Sequence, residues 1–177
     1  MHSYVILFRG INVSGKNILP MKNLAELLTQ HGFKQVKTYI QSGNVIALSE
    51  LTASEVSEQI TALVAEHFGF TAPVMVFTKA QFNQFSMQNP YGDVEGKFCH
   101  LYFCNTQAQL NQEKLAQYNA ASEQYQLHDN VFYLHAPDGI GRSKLVANIE
   151  LCLGVTATGR NLNTVNKLNS LLESISA

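Results

Sequence analysis

Cysteine is scarce in this chain, and the three present, Cys99, Cys104 and Cys152, form no Cys-x-x-Cys pair. An odd number without that spacing argues against a disulfide framework and against a zinc knuckle. Charge is scarce too: 14% of the 177 residues are charged, and the formal net charge is −1. A protein that coats nucleic acid non-specifically needs a strong excess of Lys and Arg, so this balance disfavours that class but leaves room for a local basic patch. No apolar run approaches the roughly 20 residues of a membrane span. Met1-His2-Ser3 carries no basic n-region, and the apolar run behind it breaks at Arg9, so no signal peptide is expected. Six histidines, at positions 2, 31, 67, 100, 128 and 135, show no helical metal-ligand spacing. No Gly-x-Ser-x-Gly elbow occurs. The expectation is a cytoplasmic protein with no metal, no cofactor and no evident nucleophile or general base.

What is present is a hydrophobic fraction of 46%, ample for a core. Tyr4 to Phe8 reads as a strand by residue type. A long polar loop, 9–20, follows, and Pro20 suits the first turn of a helix whose apolar marks are Met21, Leu24, Leu27 and Leu28. Val36 to Gln41 and Val45 to Leu48 read as a hairpin over Ser42-Gly43-Asn44. Thr52-Ala53-Ser54-Glu55 has the form of a capping box, and the helix behind it stops at Gly69. Pro73 to Phe77 is a strand, and Thr78 to Gln81 opens a short helix.

Asn89-Pro90-Tyr91-Gly92 is a break and a candidate domain boundary. Beyond it the order repeats: a strand at Phe98 to Cys104, a helix at Gln109 to Tyr118, and a hairpin over His128-Asp129-Asn130. One helix from Ser143 to Gly154, a short strand at Val155 to Thr158 and a last helix from Asn163 follow. The two hairpins align with Tyr39 over Tyr125, Asn44 over Asn130 and Val45 over Val131. Element order and these matches predict an internal duplication. The predicted fold class is α+β, two tandem ferredoxin-like (α/β plait, split βαβ) units with antiparallel sheets, over 1–88 and 89–177. In the second copy the loop after the first strand is short, so the loop 9–20 exceeds what the fold requires.

The strand end and that loop read Phe8-Arg9-Gly10-Ile11-Asn12-Val13-Ser14-Gly15-Lys16-Asn17. The Gly10 to Asn17 portion nearly fits the phosphate-binding pattern G-x-x-x-x-G-K-[ST]. Asn17 replaces the hydroxyl that would hold magnesium, however, and Pro20 delays the helix, so a nucleotide triphosphatase is disfavoured. The chain has three arginines, Arg9, Arg142 and Arg160, each beside a glycine. Two of them adjoin helix entrances at Ser143 and Asn161, where free N–H groups and an arginine fork suit phosphate or carboxylate. The competing reading places these arginines at surface turns. Leu101-Tyr102-Phe103-Cys104-Asn105 is similar to the first-strand motif of RNA-recognition domains, but Asn130 to Leu134 lacks the basic residue and glycine of the partner motif.

Four motifs carry a family resemblance: Leu7 to Asn17, Thr38-Tyr39-Ile40-Gln41-Ser42-Gly43-Asn44-Val45, Gly141-Arg142-Ser143-Lys144-Leu145, and Arg160-Asn161-Leu162-Asn163-Thr164-Val165-Asn166-Lys167-Leu168. With these, nearly the whole chain resembles the bacterial family catalogued as domain of unknown function 1697. The resemblance implies two ferredoxin-like units and supplies no biochemical activity. One departure is Leu162, where the family often has Trp, which removes a stacking platform.

The expected function is binding of a small anionic ligand, a nucleotide or phosphorylated metabolite, at a site between the units. Arg9, Asn12, Lys16 and Asn17 would form one wall, Tyr39, Gln41, Ser42 and Asn44 would be neighbours on the hairpin, and Arg142, Ser143, Arg160 and Asn161 would come from the second unit. The alternative is a nucleic-acid or protein-binding module acting through a sheet face, which requires exposed aromatics and a basic stripe.

Overall fold

The structure is a computed structural model that describes residues 1–176. It is a mixed α+β chain with two four-stranded antiparallel sheets of the same strand order. The first sheet comprises β1 (His2–Phe8), β2 (Lys34–Tyr39), β3 (Asn44–Ser49) and β4 (Val74–Thr78), arranged β2-β3-β1-β4. Helices α1 (Met21–Gln30) and α2 (Ala53–Phe68) connect β1 to β2 and β3 to β4. The pleat sends Tyr4, Ile6 and Phe8 of β1 and Val45 and Ala47 of β3 into one core. Met21, Leu24, Leu27 and Leu28 of α1 and Val56, Ile60, Leu63 and Val64 of α2 recur at helical spacing and fill it from above.

The starts and stops have local causes. The Thr52 hydroxyl accepts from Glu55 N, and the Glu55 carboxylate accepts from Thr52 N at 2.8 Å, so the predicted capping box forms. Gly69 ends α2 in the left-handed conformation, its N–H on Ala65 O at 3.1 Å. The Thr78–Gln81 box forms likewise, with Thr78 N on Gln81 Oε1 at 2.9 Å, and opens α3 (Lys79–Met87).

The second sheet comprises β5 (Cys99–Cys104), β6 (Gln124–His128), β7 (Val131–His135) and β8 (Ala157–Asn161), arranged β6-β7-β5-β8. Helix α4 (Gln112–Tyr118) joins β5 to β6. Two short helices, α5 (Lys144–Ala147) and α6 (Ile149–Leu153), occupy the β7 to β8 connection, and α7 (Leu162–Glu173) ends the chain. The continuous helix expected from Ser143 onward is therefore broken. Asn148 sits at φ −121°, away from helical geometry, between the two pieces, and its backbone N–H (3.2 Å) and side-chain amide (2.8 Å) both donate to Lys144 O. The hairpins also differ from their sequence alignment. Residues 40–43 separate β2 from β3, whereas only Asp129 and Asn130 separate β6 from β7. Tyr39 consequently pairs with Asn44 at the turn, while Tyr125 pairs with Leu134 well back from it, so the two tyrosines are not equivalent.

By compactness the chain divides into Met1–Gln84 with the residues from Lys167 onward, and Phe85–Asn166. By this measure the division falls within α3, and the end of α7 groups with the first unit. The reason is in its bonds: Lys37 Nζ donates to Ser174 Oγ at 2.7 Å, Gln35 Nε2 to Ser176 O at 2.9 Å, and Lys79 pairs with Glu173 at 3.1 Å. Among the described residues no helix is long and apolar enough to cross a membrane.

Candidate functional site

The end of β1 is gripped from both sides. Phe8 N donates to Gly43 O at 2.8 Å and Arg9 N to Pro73 O at 3.0 Å. From there the loop 9–20 builds a hairpin of its own. Val13 and Lys16 form a β-bridge closed by Lys16 N on Val13 O at 2.9 Å. Between them Ser14 (φ 51°) and Gly15 (φ 73°) are both left-handed, the pattern of a type I′ turn. The next rung joins Asn12 N to Asn17 O at 3.1 Å, and both asparagines are left-handed, a conformation their short amides tolerate.

The asparagine side chains lock this shape. Asn12 Nδ2 donates to Leu19 O at 2.9 Å and to Gln41 O at 2.8 Å, while its Oδ1 accepts Leu19 N at 2.7 Å. Asn17 Nδ2 donates to Gly10 O at 3.0 Å. Asn12 thereby closes the loop on itself and binds it to the turn 40–43. Inside that turn the buried Asn44 donates to Tyr39 O at 3.0 Å and to Ser42 Oγ at 2.9 Å. Asn12, Asn17 and Asn44 therefore work on the chain's own backbone, and Ser42 supports Asn44. Gly43 is required by space: at φ 89°, a Cβ there would lie 2.5 Å from Phe8 Cβ and 2.7 Å from Ile11 Cδ1.

The outer surface of this assembly differs from its inner bonding. Lys16 and Gln41 are exposed, Arg9 and Tyr39 half-buried. Three aliphatic residues stand out into solvent, Val13 (59% exposed), Ile18 (55%) and Ile40 (49%). Ile40 is left-handed at φ 49°, which costs a β-branched residue about 1–2 kcal/mol. These three aliphatics were missed in the sequence, where the signal was apolar residues set inside an otherwise polar stretch. The near-match to a phosphate loop does not fold as one. The loop turns back at Lys16, Lys16 N is bonded to the loop itself, and α1 starts only at Met21.

The second-unit candidates have local bonds of their own. Ser143 Oγ accepts Val146 N at 3.1 Å, capping α5, and donates a short hydrogen bond to Glu123 Oε2. Asn161 Oδ1 accepts Thr164 N at 2.9 Å at the start of α7. The three arginines stand in three settings: Arg9 is half-buried beside β1, Arg142 is exposed, and Arg160 is 8% exposed on β8. Burial lowers the Arg160 pKa to about 10, and its Nη1 donates to Gly159 O at 2.9 Å. The aromatics of β5 and β7 (Tyr102, Phe103, Phe132 and Tyr133) are all buried and offer no stacking platform. Burial also raises the thiols of Cys99, Cys104 and Cys152, which are free and buried, and so disfavours their thiolates. Among the described residues no group of three His, Cys, Asp or Glu could hold a metal. A surface cavity of about 550 Å³ in the second unit, lined by residues such as Asn148, Glu150, Leu151 and Thr156, includes no residue of the loop or turn.

Fold and site together define a two-unit α+β protein with one self-bonded, elaborated loop, a class set by architecture with no reaction attached. The chain belongs to the family described as protein of unknown function (DUF1697), whose model matches residues 1–133. The match contains the loop 9–20 and the first hairpin and ends within β7, before Arg142, Ser143, Arg160 and Asn161, so it is shorter than the resemblance implied. A solved structure, conserved bacterial protein SP0830 from Streptococcus pneumoniae, is similar with TM-score 0.72 and 21% identity, over 97% of this chain and 98% of that one. That likeness concerns the fold. No functionally curated protein matches the sequence.

Proposed function

We propose that this is a binding protein whose recognition surface is the end of the first unit formed by the loop 9–20 and the turn 40–43, and that its ligand is a phosphate-bearing anion. One observation carries the reading: the Asn12 amide fixes both segments in a single left-handed-rich conformation, so the surface is pre-organised before anything binds. Lys16 and Arg9 supply positive charge to that surface, and Gln41 and Tyr39 supply hydrogen-bonding and ring contacts. Ser143, Arg160 and Asn161 are assigned to holding the second unit, and the exposed Arg142 stands outside the proposed surface. We read each unit as a ferredoxin-like plait, in keeping with the β-α-β-β-α-β order and the strand arrangement. Three free, buried thiols accord with action in the reducing cytoplasm.

The test is a thermal-shift panel of phosphate, pyrophosphate, nucleotides and sugar phosphates against wild type, Arg9→Ala and Lys16→Ala. At a hundredfold excess over Kd, binding to the folded state stabilises by about 2.7 kcal/mol. A shift with phosphate-bearing ligands that disappears in Lys16→Ala supports the reading. No shift with any of them, at full folding of both variants, sinks it and leaves the loop a structural element.

A further inference from the structure

The near-neutral net charge hides a segregation. Residues 1–49 hold Arg9, Lys16, Lys22, Lys34 and Lys37 against the single acid Glu26, in a chain with 12 Lys and Arg against 13 Asp and Glu. Geometry then aligns part of that charge. β2 is an edge strand. Its register slips between Lys34, opposite Leu48, and Lys37, opposite Ile46, so three steps on β2 match two on β3. This is a β-bulge, with Gln35 left-handed at φ 48°. In a regular strand, residues three apart face opposite sides. The bulge cancels that alternation. Lys34, Lys37 and Tyr39, opposite Leu48, Ile46 and Asn44, therefore line one side of β2. Lys34 is exposed, and Lys37 is half-buried with its Nζ steadied by Ser174 Oγ at 2.7 Å. Past Tyr39 the row runs into the turn 40–43, which Asn12 ties to the loop that exposes Lys16.

We propose that this row and the loop form one track for a single-stranded nucleic acid, with Lys34, Lys37 and Lys16 on successive phosphates and the half-buried Tyr39 ring as the stacking contact. The proposal rests on the anion-binding reading above and adds the ligand class. A groove of lysines interrupted by an aromatic is how single strands are held without base readout. Lysines on an edge strand also deter strand-to-strand aggregation. A bulge serves that role as well, but a ring in the same row does not, and an acidic polypeptide needs no ring contact.

The experiment is fluorescence anisotropy of a labelled 20-mer oligouridylate with the full chain at 50 and 200 mM salt. Three phosphate contacts give a log–log salt slope of about −2, a loss of affinity of about 20-fold across that range. Lys16→Ala, Lys34→Ala and Lys37→Ala should each flatten the slope by about 0.7, so that the loss falls to about 7-fold. Tyr39→Leu should weaken binding at both salts and leave the slope unchanged. Lys34 is exposed, so its variant keeps the test readable if another fails to fold. Polyglutamate binding with equal affinity and slope would overturn the nucleic-acid assignment. Pyrophosphate stabilisation that depends on Lys16, with no oligonucleotide binding, would overturn this inference and leave the anion-binding reading standing. Absence of both would overturn the two together.

Discussion

The loops after β1 and β5 occupy the same place in their units and are held in opposite ways. The second, residues 105–111, is strapped by backbone bonds to its neighbours: Asn105 N to Thr156 O at 3.0 Å, Gln109 N to Leu153 O at 3.1 Å and Asn111 N to Cys152 O at 2.9 Å. The first, residues 9–20, is held mainly by its own asparagines and by its own short hairpin. A loop satisfied by its surroundings has its polar groups turned inward and is a connection. A loop satisfied from within can project an outer surface whose shape does not depend on a partner. The difference accounts for why one copy of a repeated unit carries a candidate site and the other does not.

The largest expected break in this contrast is at Gly43. Gly43→Ala places a Cβ 2.5 Å from Phe8 Cβ in a left-handed residue, so both the core and the turn must move. A loss of about 3 kcal/mol in denaturant unfolding is expected, from overpacking added to left-handed strain. The second hairpin is the control. Asp129 is also left-handed (φ 51°) but exposed, and Asp129→Gly should leave stability within about 1 kcal/mol of wild type.

Next in size is the clamp. Asn12→Ala leaves Leu19 N, Leu19 O and Gln41 O without their shared partner. Since the site is partly open to water, the expected cost is about 2 kcal/mol, and limited proteolysis should then cut within 9–20 while sparing 105–111. Asn111→Ala, which removes only the cap on Lys114 N (3.0 Å), should cost about 1 kcal/mol and leave the proteolysis pattern unchanged. Equal losses, or cutting in both loops, would show that the first loop depends on its surroundings as much as the second.

Much of the framework was legible in the sequence because it is written in local signals. Thr52 with Glu55, Gly69 as a stop and the spacing of Leu24, Leu27 and Leu28 each act within one or two turns. What was not legible depends on residues far apart in the chain. The Asn12 to Gln41 bond spans 29 positions, and nothing in either stretch announces it. The loop was read as a set of ligands because asparagine and lysine types suit that role. The fold uses the asparagines for geometry and leaves three aliphatics exposed, Val13, Ile18 and Ile40. The break at Asn148 was missed for a similar reason: the apolar spacing of Leu145, Val146, Ile149 and Leu153 continues across it, and the interruption is a backbone departure at Asn148 (φ −121°) that residue type does not announce. The alignment of Tyr39 with Tyr125 failed because turn length, not residue identity, sets register in a hairpin.

The smallest effect is the most informative about function. Ile40 is a β-branched residue, left-handed at φ 49° and 49% exposed, so it contributes little burial and carries strain. Ile40→Gly relieves about 1–2 kcal/mol of left-handed strain and gives back about 0.5–1 kcal/mol in unfolded-chain entropy. A net stabilisation of about 0.5–1 kcal/mol is expected in denaturant unfolding. An exposed residue held in strained backbone is a reason to test its side chain for a role in recognition. If the turn serves recognition, Ile40→Gly should be more stable than wild type and weaker in binding the phosphate-bearing ligand. A variant that gains stability and binds unchanged would remove Ile40 from the surface and confine recognition to the lysines. One that loses stability would show that Ile40 supports the clamp beneath it, making the turn a structural partner of Asn12.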